Sequence, residues 1–273
     1  MIRVVRRCLA ASLLATPAFA QKLMLELRPH AGDTLRMQLE QVTEMGSAHG
    51  GALTTMTTTM RMFSRAIVES TAPIAALILA VTDSVNVSGS DVSARALGEQ
   101  ARRELEGRQM RLRLWPDGTV TLNDGARSVP REVSDLVNVM PASFPSRPVS
   151  VGETWVREMP IPAGEQLGIP GGSSVRARFR LDSASAGGDV AWVSMSGTLQ
   201  PAPSAANGDL DGSIKGTLVV DRKRGWLSES RFLLQLRSAV IKKLGAKDDT
   251  TRYTIRVNQT MQVLRPPVYG RQH

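Results

Sequence analysis

Strict alternation of apolar and polar residues is the feature that most constrains this chain. In "VRARFRL", Val175, Ala177, Phe179 and Leu181 alternate with Arg176, Arg178 and Arg180. In "LRMQLEQVTEM", Leu35, Met37 and Leu39 share one parity, while Arg36, Gln38 and Glu40 share the other. Near the far end, Tyr253, Ile255, Val257, Met261 and Val263 oppose Arg252, Thr254, Arg256, Asn258 and Gln262. A helix would scatter these apolar residues around its circumference. An antiparallel strand gathers them on one face and leaves the other wet. The fold class that follows is mainly β: a long, curved antiparallel sheet, bent into a half-barrel or open barrel because twist accumulates across long strands.

Looser strands fill the spaces between. "TTMTTTMRMFSRAIVEST" is rich in Thr and keeps Met56, Met60, Met62, Ala66 and Val68 in step. "AALILAVTDSVNV" starts apolar and then alternates; it is short and carries Asp83, which excludes a membrane-spanning helix. Turns through Pro116-Asp117-Gly118 and around Lys223 to Gly225 predict two hairpins. Two segments switch to helical spacing. One is "SARALGEQARREL", with Ala94, Leu97, Ala101 and Leu105 in register and Asp91 or Ser93 as cap. The other is "PREVSDLVNVM", with Val133, Leu136, Val137 and Met140 on one stripe. Each narrow apolar stripe must bury against something, most simply the concave side of the sheet.

One pattern is written twice. Gly32-Asp33-Thr34 and Gly152-Glu153-Thr154 each follow an Arg-Pro pair and a short spacer, and each opens an alternating run. The glycine tolerates turn geometry, the acid can accept from nearby backbone N–H groups, and the threonine starts a strand. The arrangement is compatible with one β-rich domain over 21–273, divisible into related halves at 21–140 and 141–273; chance recurrence of a short motif is the alternative.

Residues 1–20 read as a cleaved export signal. Arg3, Arg6 and Arg7 form a basic start, "CLAASLLATPAFA" is apolar, and Ala18-Phe19-Ala20 is an A-x-A site. The expected product is exported, periplasmic or secreted. The pair Arg6-Arg7 leaves a twin-arginine route open. Cys8, the one cysteine, departs with the signal and follows Val5-Arg6-Arg7, a context unsuited to lipidation. The remaining domain has no disulfide to lean on, so its core must hold it. Its basic residues outnumber its acids, and most are Arg. Contact with anionic groups such as lipid headgroups, and hence peripheral envelope association, is one consequence to test; solvated filling of exposed positions is the other. With aromatics at 4% and no basic run interleaved with them, nucleic acid is excluded as a partner.

"FPSRPVSVGETW" (Phe144 to Trp155) and "GTLVVDRKRGWLSES" (Gly216 to Ser230) resemble segments of a family of exported bacterial proteins marked by a PVxVG[ED]TW signature. The layout of long antiparallel strands with intervening helices is similar to that of lipoprotein-carrier proteins, in which a curved half-barrel cups an apolar ligand. What the resemblance implies is an envelope protein with that architecture. It brings no catalytic residue with it.

The residues themselves assemble no reaction centre. There is no cysteine beyond Cys8 and no G-x-S-x-G elbow, and His30 and His49 sit in turn-like stretches. "NGDLDGS" starts like a calcium loop but lacks the later oxygen ligands. No metal and no cofactor are expected, and no enzymatic activity. What stands out is methionine, soft and adaptable, recurring on the apolar faces. These side chains either fill a large core or line a cavity for an apolar or lipid-like small molecule. On the second reading Met56, Met60, Met62, Val133, Leu136 and Met261 line the cavity. Action through sheet edges and an Arg-bearing face is the alternative function.

Overall fold

The computed structural model describes residues 22–264 apart from 91, 124–142, 162, 165–166, 203–209 and 245–246. The expected signal, Asp91, the second expected helix with Val133 and Leu136, and Asp209 lie outside the described residues.

Among the described residues, eleven strands form one antiparallel sheet. They are β1 (Thr34–His49), β2 (Ala52–Thr71), β3 (Ala76–Gly89), β4 (Gln109–Leu114), β5 (Val120–Leu122), β6 (Thr154–Pro160), β7 (Ser174–Ala184), β8 (Val190–Gln200), β9 (Asp211–Asp221), β10 (Trp226–Leu244) and β11 (Lys247–Leu264). One helix, α1 (Val92–Leu105), joins β3 to β4. The spatial order is β5-β4-β3-β2-β1-β11-β10-β9-β8-β7-β6, so the first and last strands meet at the centre. The chain walks out to β5, crosses to β6, and walks back. Since β5 and β6 do not pair, the sheet is an open half-barrel.

Alternation decides the two faces as the sequence predicts. On β7, Val175, Ala177, Phe179 and Leu181 are buried and the three intervening arginines are exposed. The Pro116-Asp117-Gly118 turn closes with Gly118 N–H on Trp115 O (3.0 Å) and Trp115 N–H on Thr119 O (2.9 Å). The Arg222 to Gly225 turn closes with Arg224 N–H on the Asp221 carboxylate at 2.9 Å.

The repeated Gly-acid-Thr segments fold identically. Gly32 and Gly152 both have φ +88°, a region open to glycine and strained for other residues. Gly32 N–H donates to Val68 O and Val68 N–H to Asp33 O; Gly152 N–H donates to Leu181 O and Leu181 N–H to Glu153 O. In each case the acid's carboxylate accepts from the backbone three residues back, His30 (3.4 Å) or Ser150 (2.9 Å). The same turn therefore opens β1 at the sheet centre and β6 at its edge.

These turns share one end of the sheet with those at 72–75, 116–118, 185–189 and 222–225, and a strap crosses that end. Leu23, Leu25 and Leu27 are buried, and the strap is fixed at several points. Leu23 exchanges both backbone bonds with Val149, Leu27 N–H donates to Pro116 O, and Arg222 Nε donates to Met24 O at 3.1 Å. The core gathers here, with Leu25, Val68, Phe144, Phe179, Leu181, Val193 and Val220 each almost sealed from solvent. The strap is an element the sequence analysis did not place.

Candidate functional site

Burial is lopsided across the inner face. On β7 and β8 it is complete: Ala177, Phe179, Leu181 and Ala191 are 0% exposed. On β1, β2 and β11 it fades away from the strapped end, whereas β10 stays buried at its far end through Leu236, Ser238 and Ala239. Leu35 is buried, but Met37, Leu39, Gln41, Thr43 and Met45 behind it on β1 are each half-buried. The inward residues of β11 (Tyr253, Ile255, Val257, Met261, Val263) are likewise all half-buried.

Register makes this region one surface. Leu39 pairs with Met62 on one side and Met261 on the other. Gln41 pairs with Met60 and Gln259, and Met45 pairs with Met56 and Ile255. Met56, Met60, Met62 and Met261 therefore lie together on a single half-exposed face, within two strand pairings of one another. The row through Met60 continues across the whole sheet: Val87, Met60, Gln41, Gln259, Phe232, Gly216, Met195, Phe179, Trp155. Polar groups interrupt it at its centre. Gln41 Nε2 donates to Thr43 Oγ1 at 3.1 Å, and Gln259 stands across the strand pair.

Helix α1 bounds this surface. Gly98 rests on Val87, where an added Cβ would come within 2.7 Å of the valine Cβ. Val87 is the cross-strand partner of Met60, so the helix lies on the inner side, beside the methionines. Its outer turns are laced by Arg102, which pairs with Glu99 (2.8 Å) and Glu106 (3.2 Å). The Arg102 hydrogen bond is the main cause that holds the Glu99 carboxyl below its ordinary range. Two shallow concavities of about 300 and 440 Å³ lie instead on the outer face, around Phe63.

At the far edge two inward side chains of β6 tie the sheet to residues 143–144. Trp155 is 7% exposed, stacks on Phe179, and donates Nε1–H to Ser143 O at 2.8 Å. Arg157 Nη2 donates to Phe144 O, while its buried Nε has no hydrogen-bond partner among the described residues. Ser143 and Phe144 N–H groups both reach Asp117 O in the β4–β5 turn. The gap between the two sheet edges is thus bridged at the strapped end. Sequence reasoning singled out Trp155 but not Arg157, an arginine in a position where the alternation calls for an apolar residue.

Neither internal histidine joins a cluster. His30 lies 3.6 Å from Asp33, and His49 meets Asp249 (3.3 Å) and Thr251 (3.1 Å) where the β1–β2 and β10–β11 tips adjoin. Among the described residues no three His, Cys, Asp or Glu side chains gather as a metal site would require.

No protein-family model and no curated protein matches this chain. Among solved structures, it is similar to lipovitellin, with a TM-score of 0.52 at 9% identity over 87% of this chain. The chain spans only 26% of that one, so the likeness is one of fold. Fainter similarities reach DynF from the dynemicin biosynthesis pathway of Micromonospora chersina and an outer-membrane lipoprotein-sorting protein domain from Vibrio parahaemolyticus. The first has a TM-score of 0.21 at 10% identity, over 96% of this chain and 94% of that one. The second has a TM-score of 0.17 at 11% identity, over 85% and 87%. At such scores they bear no weight.

Proposed function

We propose that this is an exported envelope protein that holds an apolar or amphiphilic, lipid-like molecule on its inner face and catalyses nothing. The observation that carries the proposal is the half-buried surface of Leu39, Met45, Met56, Met60, Met62, Val257 and Met261, continuous with the sealed core. Apolar surface left partly open on a concave wall is what a ligand removes from water, at roughly 25 cal/mol per Å² before association costs. Methionine suits such a wall, because it adapts to chains of varied shape. Gln41 and Gln259 offer hydrogen bonds midway along it.

The distribution of polarity supports a wall turned inward. A membrane-inserted barrel presents an apolar band to lipid and polar residues to its lumen. Here Arg176, Arg178 and Arg180 face outward and Phe179 and Leu181 inward. The fold likeness to lipovitellin, whose solved structure concerns lipid–protein interactions, is in keeping with this reading. Native mass spectrometry of the purified protein, followed by organic extraction, tests it. A bound apolar molecule released by solvent is the expected result. A folded protein that carries nothing and takes up no added lipid would overturn it.

A further inference from the structure

We propose that the outer face of β6–β9 is a docking surface for an anionic lipid bilayer. The proposal stands independently of whatever the inner face holds.

It starts from an asymmetry in charge pairing between the two walls. On the wall from β11 to β4, outward arginines mostly meet carboxylates: Arg61 with Glu40 (2.9 Å), Arg65 with Asp83 (2.8 Å), Arg111 with Glu69 (3.0 Å) and Arg256 with Glu44 (3.7 Å). Such mutual neutralisation makes a solvated surface with little reach. On the other wall Arg176, Arg178 and Lys215 are exposed, and among the described residues none of the three forms an ion pair. Arg178 and Lys215 lie in one row, separated by Ser196, with Arg176 two residues along β7. Three acids share the face: Glu158, the cross-strand partner of Arg176, accepts from Ser174 Oγ at 2.6 Å, Asp182 lies 3.8 Å from Arg180, and exposed Asp211 stands four residues along β9 from Lys215.

Two exposed apolar side chains share this face. Val156, the cross-strand partner of Arg178, is 44% exposed, and Trp192, at the far end of the same face, is 41% exposed. A bilayer surface accepts this combination. Its anionic headgroups attract unpaired cations, and the indole takes the boundary level between headgroup and chain. A folded acidic partner would need carboxylates matched one by one; a fluid anionic bilayer supplies phosphates wherever the cations fall.

Co-sedimentation of the full chain with vesicles tests the assignment. The parent should bind vesicles containing phosphatidylglycerol, release as salt is raised, and ignore vesicles of phosphatidylcholine alone. Replacing Arg176, Arg178 and Lys215 together by Ser should weaken binding by about a hundredfold. Replacing Arg36, Arg61 and Arg256 by Ser removes the same charge from the opposite wall and should change binding by at most about fivefold. Binding should also blue-shift tryptophan emission in the parent and not in Trp192→Ala. Equal losses in the two triple variants would mean that net charge alone acts, and would overturn the proposal. So would binding that ignores lipid charge, a shift that survives in Trp192→Ala, or capture by soluble heparin without capture by vesicles.

Discussion

Trp155 lies flat against Phe179, with ring centroids 5.8 Å apart and planes 8° from parallel. The two residues are direct cross-strand partners on β6 and β7, and Phe179 is fully buried beneath the indole. This pair is the point where the second run of strands enters the sheet. Its offset stack adds to the burial of two large side chains.

Trp155→Ala should therefore cost about 3–5 kcal/mol, the range for emptying a large aromatic site in a core. Trp155→Phe keeps the ring but loses the bond to Ser143 O, and should cost about 1–2 kcal/mol. Urea unfolding midpoints check both. Coincident midpoints for Trp155→Ala and the parent would place the indole outside the core.

Glu153 makes the turn before β6 sensitive to acid. The Ser150 N–H is the first cause that lowers its carboxyl below the ordinary value of 4.5, and the Arg147 guanidinium adds to it. A group depressed on folding stabilises the fold above its unfolded value and loses that contribution as pH falls through the folded one. Glu153→Gln should thus be less stable than the parent at neutral pH. The gap should close as acid protonates the parent's carboxylate. Denaturant midpoints measured from neutral pH down to below pH 4 follow it; a gap that stays constant would rule out the carboxylate as its source.

The strap predicts a contrast between two glycines. Gly152 has positive φ and open space around it, so Gly152→Ala should cost about 1–2 kcal/mol of backbone strain. Gly225 also has positive φ, but an added Cβ would lie 2.0 Å from the Arg28 carbonyl oxygen. Gly225→Ala should be clearly more destabilising, because the strap must move. Leu25→Ala, within the strap at 1% exposure, should cost about 2–5 kcal/mol. Thermal unfolding of the three variants side by side gives the order.

Legibility followed the physics of period two. The faces of β1, β7 and β11 were readable because each run alternates long enough to fix which parity is buried. Their partners were not readable, since alternation carries no address: nothing in Leu39 says that Met261 lies beside it. The strap was missed although "KLMLELR" alternates, because its ladder contact is a lone bridge from Leu23 to Val149 and the stretch sits beside an apparent cleavage site. Met60 and Met195 look alike in sequence, yet Met195 is 8% exposed and Met60 half-buried. Both lie in one row across the sheet, so the difference is lateral: Met195 stands between Phe179 and Gly216 in the sealed part of the inner face, and Met60 between Val87 and Gln41.

The central claim, that the half-buried methionine face takes up an apolar chain, is tested most directly by titration with a fluorescent fatty acid. The parent and Arg178→Ala, altered on the outer face, should bind alike in moderate salt. Met60→Asp, which sets a charge beside Gln41 and Val87, should weaken uptake at least tenfold, with circular dichroism matching the parent. If the folded parent binds no apolar probe, or if Met60→Asp binds as well as the parent, the inner face is not a ligand wall and its methionines serve the core alone.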